Sequence, residues 1–373
     1  MRVALVHEYL NQLGGAERVL EAMHELYPHA PVHTLVHDRS KVGDRFKDWD
    51  IVTSIIERLP GGKRHYKWYL LAMPAAIESF NFNGFDVVLS DASAFAKGVI
   101  VPPGTLHVCY CHTPTRYLWS DAHTYPNEVR VPWAVRKVLP FALNYLRTWD
   151  RQAADRVDLF IANSHFVAHR IEKYYRRPST VIYPPVDTDQ FSIAPEVGNY
   201  YVMMGRLRPY KRFDIAIKAF NAMNIPLKII GVGEEEAALR KIARPNVEFL
   251  GYNVDRNAVM QHALGFINPQ VEDFGIAPVE AMACGRPVIA YRAGGAMETV
   301  KEGETGAFFD EQSWESLADT VIRFKPKAFD PQKIRQHAQT FDREVFKQRM
   351  REFVQTAWAQ YRTTGRVDVQ KTS

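Results

Sequence analysis

Short apolar runs alternate with amphipathic stretches along the whole chain. In the first half, runs of aliphatic and β-branched residues predict strands at residues 3–7, 31–36, 85–90, 105–111 and 159–162. In the second half, the same pattern predicts strands at residues 200–204, 227–231, 247–250, 265–267 and 288–291, with helical segments such as 213–223 between them. This alternation is typical of α/β units with mostly parallel sheets. The sequence therefore predicts two Rossmann-like, doubly wound halves.

The segment 190–199 is the predicted linker, because it has little periodicity and contains Pro195 and Gly198. The expected N-terminal domain is 1–192 and the expected C-terminal domain is 199–342. A final helix at 343–362 is expected to pack back on the first domain. Doubly wound sheets bind ligands beyond the carboxyl ends of their strands, so two such domains facing each other across a cleft predict a site between them.

Composition narrows the class of protein. The 373 residues are 46% hydrophobic and 24% charged, which is typical of a folded globular chain. The formal net charge of +5 suits anionic ligands or membrane surfaces and is too small to indicate nucleic acid. The three cysteines contain no C-x-x-C pair, so we expect a reducing, cytoplasmic location. No apolar run approaches the roughly 20 residues that cross a bilayer, so any membrane contact is expected to be peripheral.

Gly14 and Gly15 follow the first predicted strand, where a helix is expected to begin at Ala16. Glycines let a backbone approach a ligand closely, and a helix N-terminus offers free N–H groups to a phosphate. An ordinary turn between a strand and a helix explains the pair equally well, because Gly-Gly alone is a weak signal.

Four cations lie within seven residues after the strand at 200–204. They are Arg206, Arg208, Lys211 and Arg212. At the carboxyl end of a strand, Arg206 can bind a diphosphate in bidentate fashion and Lys211 can act as a point charge. The alternative is solvated surface charge, and the spacing does not say which of the four side chains point inward.

The most informative stretch runs from Glu272 to Glu280. Glu272 falls in a loop after a strand, and Glu280 comes two residues after Pro278, a favoured first residue of a helix that Gly285 can end. The two carboxylates are therefore expected to face one cleft and to accept hydrogen bonds from sugar hydroxyls, while the N–H groups of residues 275–277 point at an anion. The alternative for Glu280 is a favourable charge at the start of the helix.

His112 ends the strand at 105–111 and precedes Thr113 and Pro114, which takes it off the regular strand. An imidazole there can bind a sugar hydroxyl, although a purely structural histidine is an even alternative. Cys109, Cys111 and His112 do not predict a zinc site, because no matching pair of ligands occurs elsewhere in the chain.

Two other patterns are interpreted as structural. Asp187 and Asp189 match a D-x-D expression for a metal-bound diphosphate, but they follow two prolines in a turn. Gly231 and Gly233 follow a strand, but three glutamates come next and would repel a phosphate.

Together these motifs resemble the retaining glycosyltransferases of family 4, which have the two-domain GT-B fold. The resemblance spans nearly the whole chain, and E-x7-E followed by Ala-Met-Ala-x-Gly is its most specific part. The residues that carry it are Gly14 and Gly15, His112, Arg206, Lys211, Glu272 and Glu280.

The resemblance implies a role for each of these residues. Arg206 and Lys211 would bind the donor diphosphate, Glu280 the ribose, and Glu272 the transferred sugar. The implied donor-binding residues are Arg206, Lys211, Glu272, Phe274, Gly275, Ile276, Ala277 and Glu280. The implied catalytic residues are His112, Glu272, Arg206 and Lys211. Gly14 and Gly15 would lie by the acceptor and the phosphate.

The family mechanism implies a front-face displacement with retention, in which the departing β-phosphate oxygen takes the acceptor proton. The protein then mainly stabilises the leaving diphosphate and orients the two sugars. No cofactor and no divalent metal is implied, because cationic side chains and helix N-termini supply the positive charge.

The string at 112–119 and Tyr-Pro-Pro-Val-Asp at 183–187 resemble mannosyltransferases of bacterial surface-polysaccharide assembly. This resemblance implies GDP-mannose as the donor and a glycan or polyprenyl-diphosphate-linked acceptor, with UDP-sugars as the alternative. The loop at 183–187 departs from the Pro-Asn-Gly-Val-Asp that is commoner in the family.

Two basic clusters offer a peripheral contact with the inner face of the cell membrane. In the predicted helix at 132–151, one face carries Val138, Leu139, Phe141, Ala142, Tyr145, Leu146 and Trp149, and the other carries Arg136, Lys137, Arg147 and Arg151. The second cluster contains Arg58, Lys63, Arg64, Lys67, Trp68 and Tyr69. The alternative is an ordinary amphipathic helix with a solvated basic face.

Other functions compete with transfer. An epimerase would need catalytic acids and bases that we do not identify, and a phosphorylase would need a cofactor lysine. The non-enzymatic alternative is a catalytically silent subunit that binds a sugar nucleotide in a polysaccharide assembly complex.

Overall fold

The structure is a computed structural model and describes residues 1–123 and 133–367. It contains two compact units. Unit 1 comprises Met1–Tyr183 and the described residues after Val345, and unit 2 is Pro184–Val345. Each unit is built on one parallel sheet.

Unit 1 has a seven-stranded sheet in the order β3-β2-β1-β4-β5-β6-β7. Its strands are β1 (Val3–Leu10), β2 (Val32–His37), β3 (Ile51–Thr53), β4 (Val87–Ala92), β5 (Leu106–Cys111), β6 (Leu159–Ala162) and β7 (Ser179–Val181). Its α-helices before residue 183 are α1 (Gly15–Leu26), α2 (Arg39–Val42), α3 (Ile55–Arg58), α4 (Met73–Glu78), α5 (Trp133–Asp155) and α6 (His165–Tyr175). Short 3₁₀ helices span Gly43–Phe46, Tyr66–Ala72, Ala96–Gly98 and Arg116–Leu118.

Both faces of this sheet are buried, which explains why its strands read as continuous apolar runs. Successive residues of β1 point to opposite faces. Ala4 and Val6 therefore join one hydrophobic cluster, and Val3 and Leu5 join the other.

Unit 2 has a six-stranded sheet in the order β10-β9-β8-β11-β12-β13. Its strands are β8 (Tyr201–Met204), β9 (Leu227–Ile230), β10 (Val247–Gly251), β11 (Phe266–Asn268), β12 (Val288–Tyr291) and β13 (Gly306–Phe309). Its α-helices are α7 (Phe213–Met223), α8 (Glu236–Ile242), α9 (Arg256–Gln261), α10 (Ile276–Ala283), α11 (Ala296–Thr299), α12 (Trp314–Arg323) and α13 (Pro331–Gln339). This strand order is that of a doubly wound dinucleotide-binding sheet, with its switch point between β8 and β11. Short 3₁₀ helices span Thr188–Gln190, Pro209–Lys211 and Pro326–Ala328.

The last helix, α14 (Arg343–Thr364), runs from the end of unit 2 into unit 1. Five of its residues belong to the hydrophobic cluster that contains Leu5. They are Phe346, Met350, Phe353, Val354 and Ala357.

The boundary between the units differs from the expected one. Residues 184–192 were expected in the first domain, but they belong to unit 2. Val186 forms a parallel bridge with Asp342, and Asp187 pairs with Arg343 at 2.5 Å. These contacts tie the segment to the C-terminal end of unit 2.

The expected apolar face of the helix at 132–151 is split in the structure. Pro132 lies outside the described residues. Leu146 and Trp149 are buried, but Val138, Phe141 and Tyr145 are 61%, 77% and 53% exposed. The buried face runs through Leu143, Leu146, Asp150 and Ala153 instead. No helix among the described residues is long and apolar enough to span a membrane.

Candidate functional site

The loop after β8 carries the four predicted cations, and the structure separates their roles. Lys211 forms an ion pair with Glu272, which lies in the loop after β11. Arg208 pairs with Glu234 at 2.5 Å, and Arg212 pairs with Asp214 at 3.1 Å. Arg206 is exposed. The structure therefore brings Lys211 and Glu272 together at the switch point of unit 2 and turns Arg208 and Arg212 toward other carboxylates.

Glu272 is held from two directions. Gln270 donates a hydrogen bond to its Oε1 at 2.9 Å, and the backbone N–H of Gly295 donates to its carbonyl oxygen at 2.8 Å. The Lys211 and Glu272 side chains remain 15% and 20% exposed, so an entering ligand can compete for either charge.

The helix that follows Glu272 begins earlier than expected. α10 starts at Ile276, with Gly275 as its N-cap at φ +97°. Only glycine adopts this left-handed backbone without strain, which explains the residue type. The N–H groups of Ile276 and Ala277 therefore stand in the first turn, where a helix presents its partial positive charge. Phe274, just before the cap, is buried against the ring of Phe341.

Glu280 lies in the second turn of α10 rather than at its start. This position removes the simple explanation that Glu280 only complements the helix dipole, because that effect falls off after the first turn. The side chain is 2% exposed, and its Oε1 lies 3.2 Å from Nη1 of Arg256 on α9. The Glu280 carboxylate is therefore buried beside a cation of α9.

Gly231 has a structural reason of its own. A Cβ at this position would lie 1.9 Å from the carbonyl oxygen of Gly205, and Leu207 donates its N–H to Val232 at 3.0 Å. The turn after β9 therefore packs directly on the cationic loop. This agrees with the structural interpretation of Gly231 and adds a function for it: holding the loop that carries Arg206.

In unit 1, His112 directly follows β5 and, with its side chain 15% exposed, ends a chain of otherwise buried charged groups. Its Nε2 is 2.5 Å from Oδ1 of Asp91, and Oδ2 of Asp91 is 2.8 Å from Nδ1 of His7. Nε2 of His7 is 3.7 Å from Oε1 of Glu17 on α1. We call Glu17, His7, Asp91 and His112 the buried charge chain. His7 and Asp91 are direct partners in the β1–β4 register, so their side chains share one face of the sheet.

The carboxylates of the buried charge chain control its protonation. Burial by itself would lower the pKa of both His7 and His112, but the ionic contacts with Asp91, and with Glu17 for His7, raise both values above 6.5. Burial would raise the pKa of Asp91, but His112 and His7 lower it. Burial would likewise raise the pKa of Glu17, but His7 lowers it. His7, whose pKa is raised to about 10, is therefore an imidazolium at neutral pH and lies between two carboxylates.

The other predicted residues of unit 1, Gly14 and Gly15, lie close in sequence to Glu17 of the buried charge chain. Gly14 is the N-cap of α1, and its carbonyl accepts the N–H of Arg18 at 3.3 Å. Helix α1 begins at Gly15, one residue earlier than expected, and its third residue is Glu17. The Gly14–Gly15 turn and the buried charge chain are thus joined through one helix start.

Sequence reasoning missed four charged residues of these sites, and they are His7, Glu17, Asp91 and Arg256. A charged residue inside an apolar strand was the available signal for His7 and Asp91, because a buried charge requires a partner. Glu17 and Arg256 stand in ordinary amphipathic helices, and no pattern distinguishes them.

Burial keeps the thiols of Cys109 and Cys111 protonated, because it raises the pKa of Cys109 to about 12 and that of Cys111 well above its usual value. Neutral thiols are poor metal ligands. Among residues 1–123 and 133–367, no three His, Cys, Asp or Glu side chains are grouped to hold a metal ion. Asp187 is engaged by Arg343, as its structural interpretation expects.

Two family models match consecutive parts of the chain. "Glycosyltransferase Family 4" matches residues 13–190, and "Glycosyl transferases group 1" matches residues 187–341. Together they take in both candidate sites except His7. The chain belongs to the family 4 glycosyltransferases.

This glycosyltransferase has curated relatives at moderate identity. It is 31% identical over 234 residues to a GDP-mannose-dependent α-(1-6)-phosphatidylinositol monomannoside mannosyltransferase of Mycobacterium tuberculosis, covering 54% of this chain and 58% of the relative. It is 26% identical over 183 residues to an uncharacterised glycosyltransferase of Methanocaldococcus jannaschii, covering 47% of this chain and 52% of the relative. The chain thus spans about half the length of these relatives.

A solved structure extends the likeness in fold. The Anabaena protein HepE in complex with UDP superposes with a TM-score of 0.71 at 19% identity, over 95% of this chain and all of that one. The predicted α/β class with two Rossmann-like, doubly wound parts of the GT-B type is confirmed.

Proposed function

We propose that this family 4 glycosyltransferase transfers a hexosyl group, with retention, from a nucleotide sugar to a hydroxyl of a glycan acceptor. The observation that carries the proposal is the pairing of Lys211 with Glu272 beside the N-terminus of α10. A diphosphate needs a cation and N–H donors, and a sugar needs a carboxylate acceptor. Both kinds of group lie at the switch point of unit 2, where doubly wound sheets bind ligands.

The donor we propose is GDP-mannose. The mannosyltransferase of M. tuberculosis, which uses GDP-mannose, is similar over 54% of this chain and supports this choice. The second candidate is a UDP-sugar, which the UDP complex of the HepE fold relative favours. Both donors share the diphosphate, so Arg206, Lys211 and the amides of Ile276 and Ala277 serve either one.

The proposed reaction breaks the bond between the anomeric carbon and the β-phosphate oxygen, and forms the acceptor bond on the same face. The acceptor proton passes to the departing phosphate oxygen. Arg206 and Lys211 stabilise that phosphate, Glu272 orients the sugar, Glu280 binds the ribose, and the His112 imidazole contacts the sugar. No cofactor or divalent metal takes part in this scheme.

The proposed acceptor is a lipid-linked glycan of surface-polysaccharide assembly, reached by peripheral contact with the inner face of the cell membrane. Helix α5 supports this contact. Its side chains Val138, Phe141 and Tyr145 are exposed and stand beside exposed Arg136 and Lys137. An apolar helix face flanked by cations is the pattern that lies in the interface of an anionic membrane.

Calorimetry tests the donor first. GDP, UDP, GDP-mannose and UDP-glucose are each titrated into the protein with magnesium and with EDTA. We expect selective binding of GDP and GDP-mannose in both conditions. A preference for UDP transfers the proposal to the second donor, and magnesium-dependent binding contradicts the metal-free scheme.

Turnover tests the enzyme itself. Incubation of the bound donor with membrane glycolipid extract is expected to release the nucleoside diphosphate and to label a lipid-linked product. Binding without turnover over a wide panel of acceptors would instead support a silent sugar-nucleotide-binding subunit. Sugar interconversion without an acceptor would support an epimerase.

A further inference from the structure

A surface pocket in unit 1 has no role in the scheme above. Its volume is about 370 Å³. Two groups of residues form its walls: Asn11, Gln12 and Lys41 on one side, and the segment from Arg64 to Trp68 on the other. We call it the basic pocket. Asn11 and Gln12 belong to the loop between β1 and α1, so the pocket adjoins the loop that carries Gly14 and Gly15.

The lining of the basic pocket is cationic. It includes Lys41, Arg64 and Lys67, and no aspartate or glutamate among the described residues lines it. Asp38 lies 3.6 Å from Lys41 and offsets part of that charge. For Arg64 and Lys67, no ion pair is found within residues 1–123 and 133–367. Neighbouring Lys63 differs, because it pairs with Glu57 at 3.0 Å. Two cations thus face the pocket with their charge uncompensated by the protein.

The basic wall is held in place before any ligand arrives. The N–H of His65 donates to the carbonyl of Gly61 at 2.6 Å, and the His65 ring stacks on Trp68 at 4.4 Å. The Tyr66 ring packs on Tyr9 at 4.6 Å. A cationic wall that is already folded loses less conformational entropy on binding than a mobile loop does.

We propose that the basic pocket binds a phosphate or diphosphate group of the acceptor. Arg64 offers a planar fork that suits phosphate oxygens, Lys67 offers a point charge, and Asn11 offers an amide donor. A neutral glycan would use these two cations only as hydrogen-bond donors, whereas a phosphate also gains from their charge. The acceptor is therefore anionic at its reducing end or linked through phosphate to a carrier.

The identification of the ligand as the acceptor rests on the proposed function. The binding of an anion in the basic pocket does not depend on it. The phosphate has two chemical sources: the headgroup of a prenyl-linked carrier, or a water-soluble phosphorylated compound. Trp68, 75% exposed, ends the wall formed by Arg64 to Trp68, and Leu71, 52% exposed, follows it. Both offer apolar surface to a prenyl chain. The test therefore compares a lipid and a soluble probe.

The probes are farnesyl diphosphate below its critical micelle concentration and inorganic diphosphate, titrated by calorimetry into the full chain. Lys211→Ala serves as the background, because inorganic diphosphate also suits the donor site. In this background, we expect the double change Arg64→Ala with Lys67→Ala to weaken binding about tenfold or more. The matched control, Arg58→Ala with Lys47→Ala, removes two exposed cations of unit 1 that do not line the pocket, and should change the affinity less than about threefold.

Each outcome decides the proposal. Loss of binding on changing Arg64 and Lys67 supports it, and tighter binding of farnesyl diphosphate assigns the lipid source, whereas equal binding of both probes assigns the soluble one. Absence of binding, or equal losses in the pocket and control variants, overturns it. Binding of nucleotides to the wild-type chain is measured separately. If that experiment contradicts the proposed function, the result for the basic pocket can still be interpreted. Circular dichroism checks that the variants are folded.

Discussion

The two candidate sites hold their charges in opposite ways. In unit 1, the side chains of His7, Asp91 and Glu17 are at most 3% exposed and pair with one another, and only the end of the chain at His112 is 15% exposed. In unit 2, both partners, Lys211 and Glu272, are 15% and 20% exposed. The first arrangement is closed except at His112, and the second is open at both partners.

The difference follows from where each set of residues stands in its sheet. His7 and Asp91 lie within paired central strands, where apolar side chains exclude water and a single charge requires a partner. Lys211 and Glu272 lie in loops beyond the strand ends, where solvent and ligand both have access. Substitutions in unit 1 should therefore act on stability as well as activity, and substitutions in unit 2 mainly on donor binding.

The largest expected effect follows from Asp91→Asn. This change leaves the buried imidazole of His7 and the partly exposed imidazole of His112 without their shared carboxylate, and breaking a buried ion pair costs about 3 kcal/mol or more of unfolding free energy. Urea denaturation measures the loss. Asp86→Asn, at a 40% exposed carboxylate just before the same strand, is the control and should cost less than about 1 kcal/mol. Equal losses in both variants would erase the distinction between a closed and an open site.

A second expected effect follows from Lys211→Ala. The change removes a cation from the donor site, so kcat/KM with the nucleotide sugar should fall about 10- to 100-fold, because hydrogen bonds between charged groups are the stronger class. Unfolding free energy should change by less than about 1 kcal/mol, since the ion pair is partly exposed. Lys218→Ala, an exposed lysine of α7, is the matched control and should retain wild-type turnover. Turnover of Lys211→Ala at the wild-type rate would remove Lys211 from the site.

The most gradual effect is a pH dependence in unit 1, because it is spread over several pH units. The raised pKa values of His7 and His112 give stability that is complete below pH 6.5 and is lost as pH rises through those values. The lowered values of Asp91 and Glu17 give stability that is complete above pH 4.5 and is lost as pH falls through those values. The buried charge chain should therefore stabilise the fold most between pH 4.5 and 6.5.

The measurement is the difference in unfolding free energy between wild type and Asp91→Asn at several pH values. Above pH 6.5, the difference should shrink by at most about 1.4 kcal/mol per pH unit for each histidine. A difference that stays constant from pH 5 to 9 would show that the imidazoles are neutral in the folded protein.

The sequence alone predicted most of the scaffold. All ten predicted strands are present, because strands of a parallel sheet buried on both faces form continuous apolar runs. The three strands that were not predicted, β3, β7 and β13, have three or four residues and stand at sheet edges, where a short run has no clear period. The sequence also predicted that Lys211, Glu272 and His112 lie in loops, because each follows a predicted strand.

Tertiary structure alone decided which charges pair. The spacing of the four cations after β8 does not distinguish Lys211, which meets Glu272, from Arg208, which meets Glu234. The contact between His7 and Asp91 joins residues 84 positions apart and depends on the register of two parallel strands. Local sequence determines which residues end a strand or start a helix, because backbone preferences act over a few residues. Ion pairs between elements are decided only when the sheet forms, because strand order and register bring distant residues together.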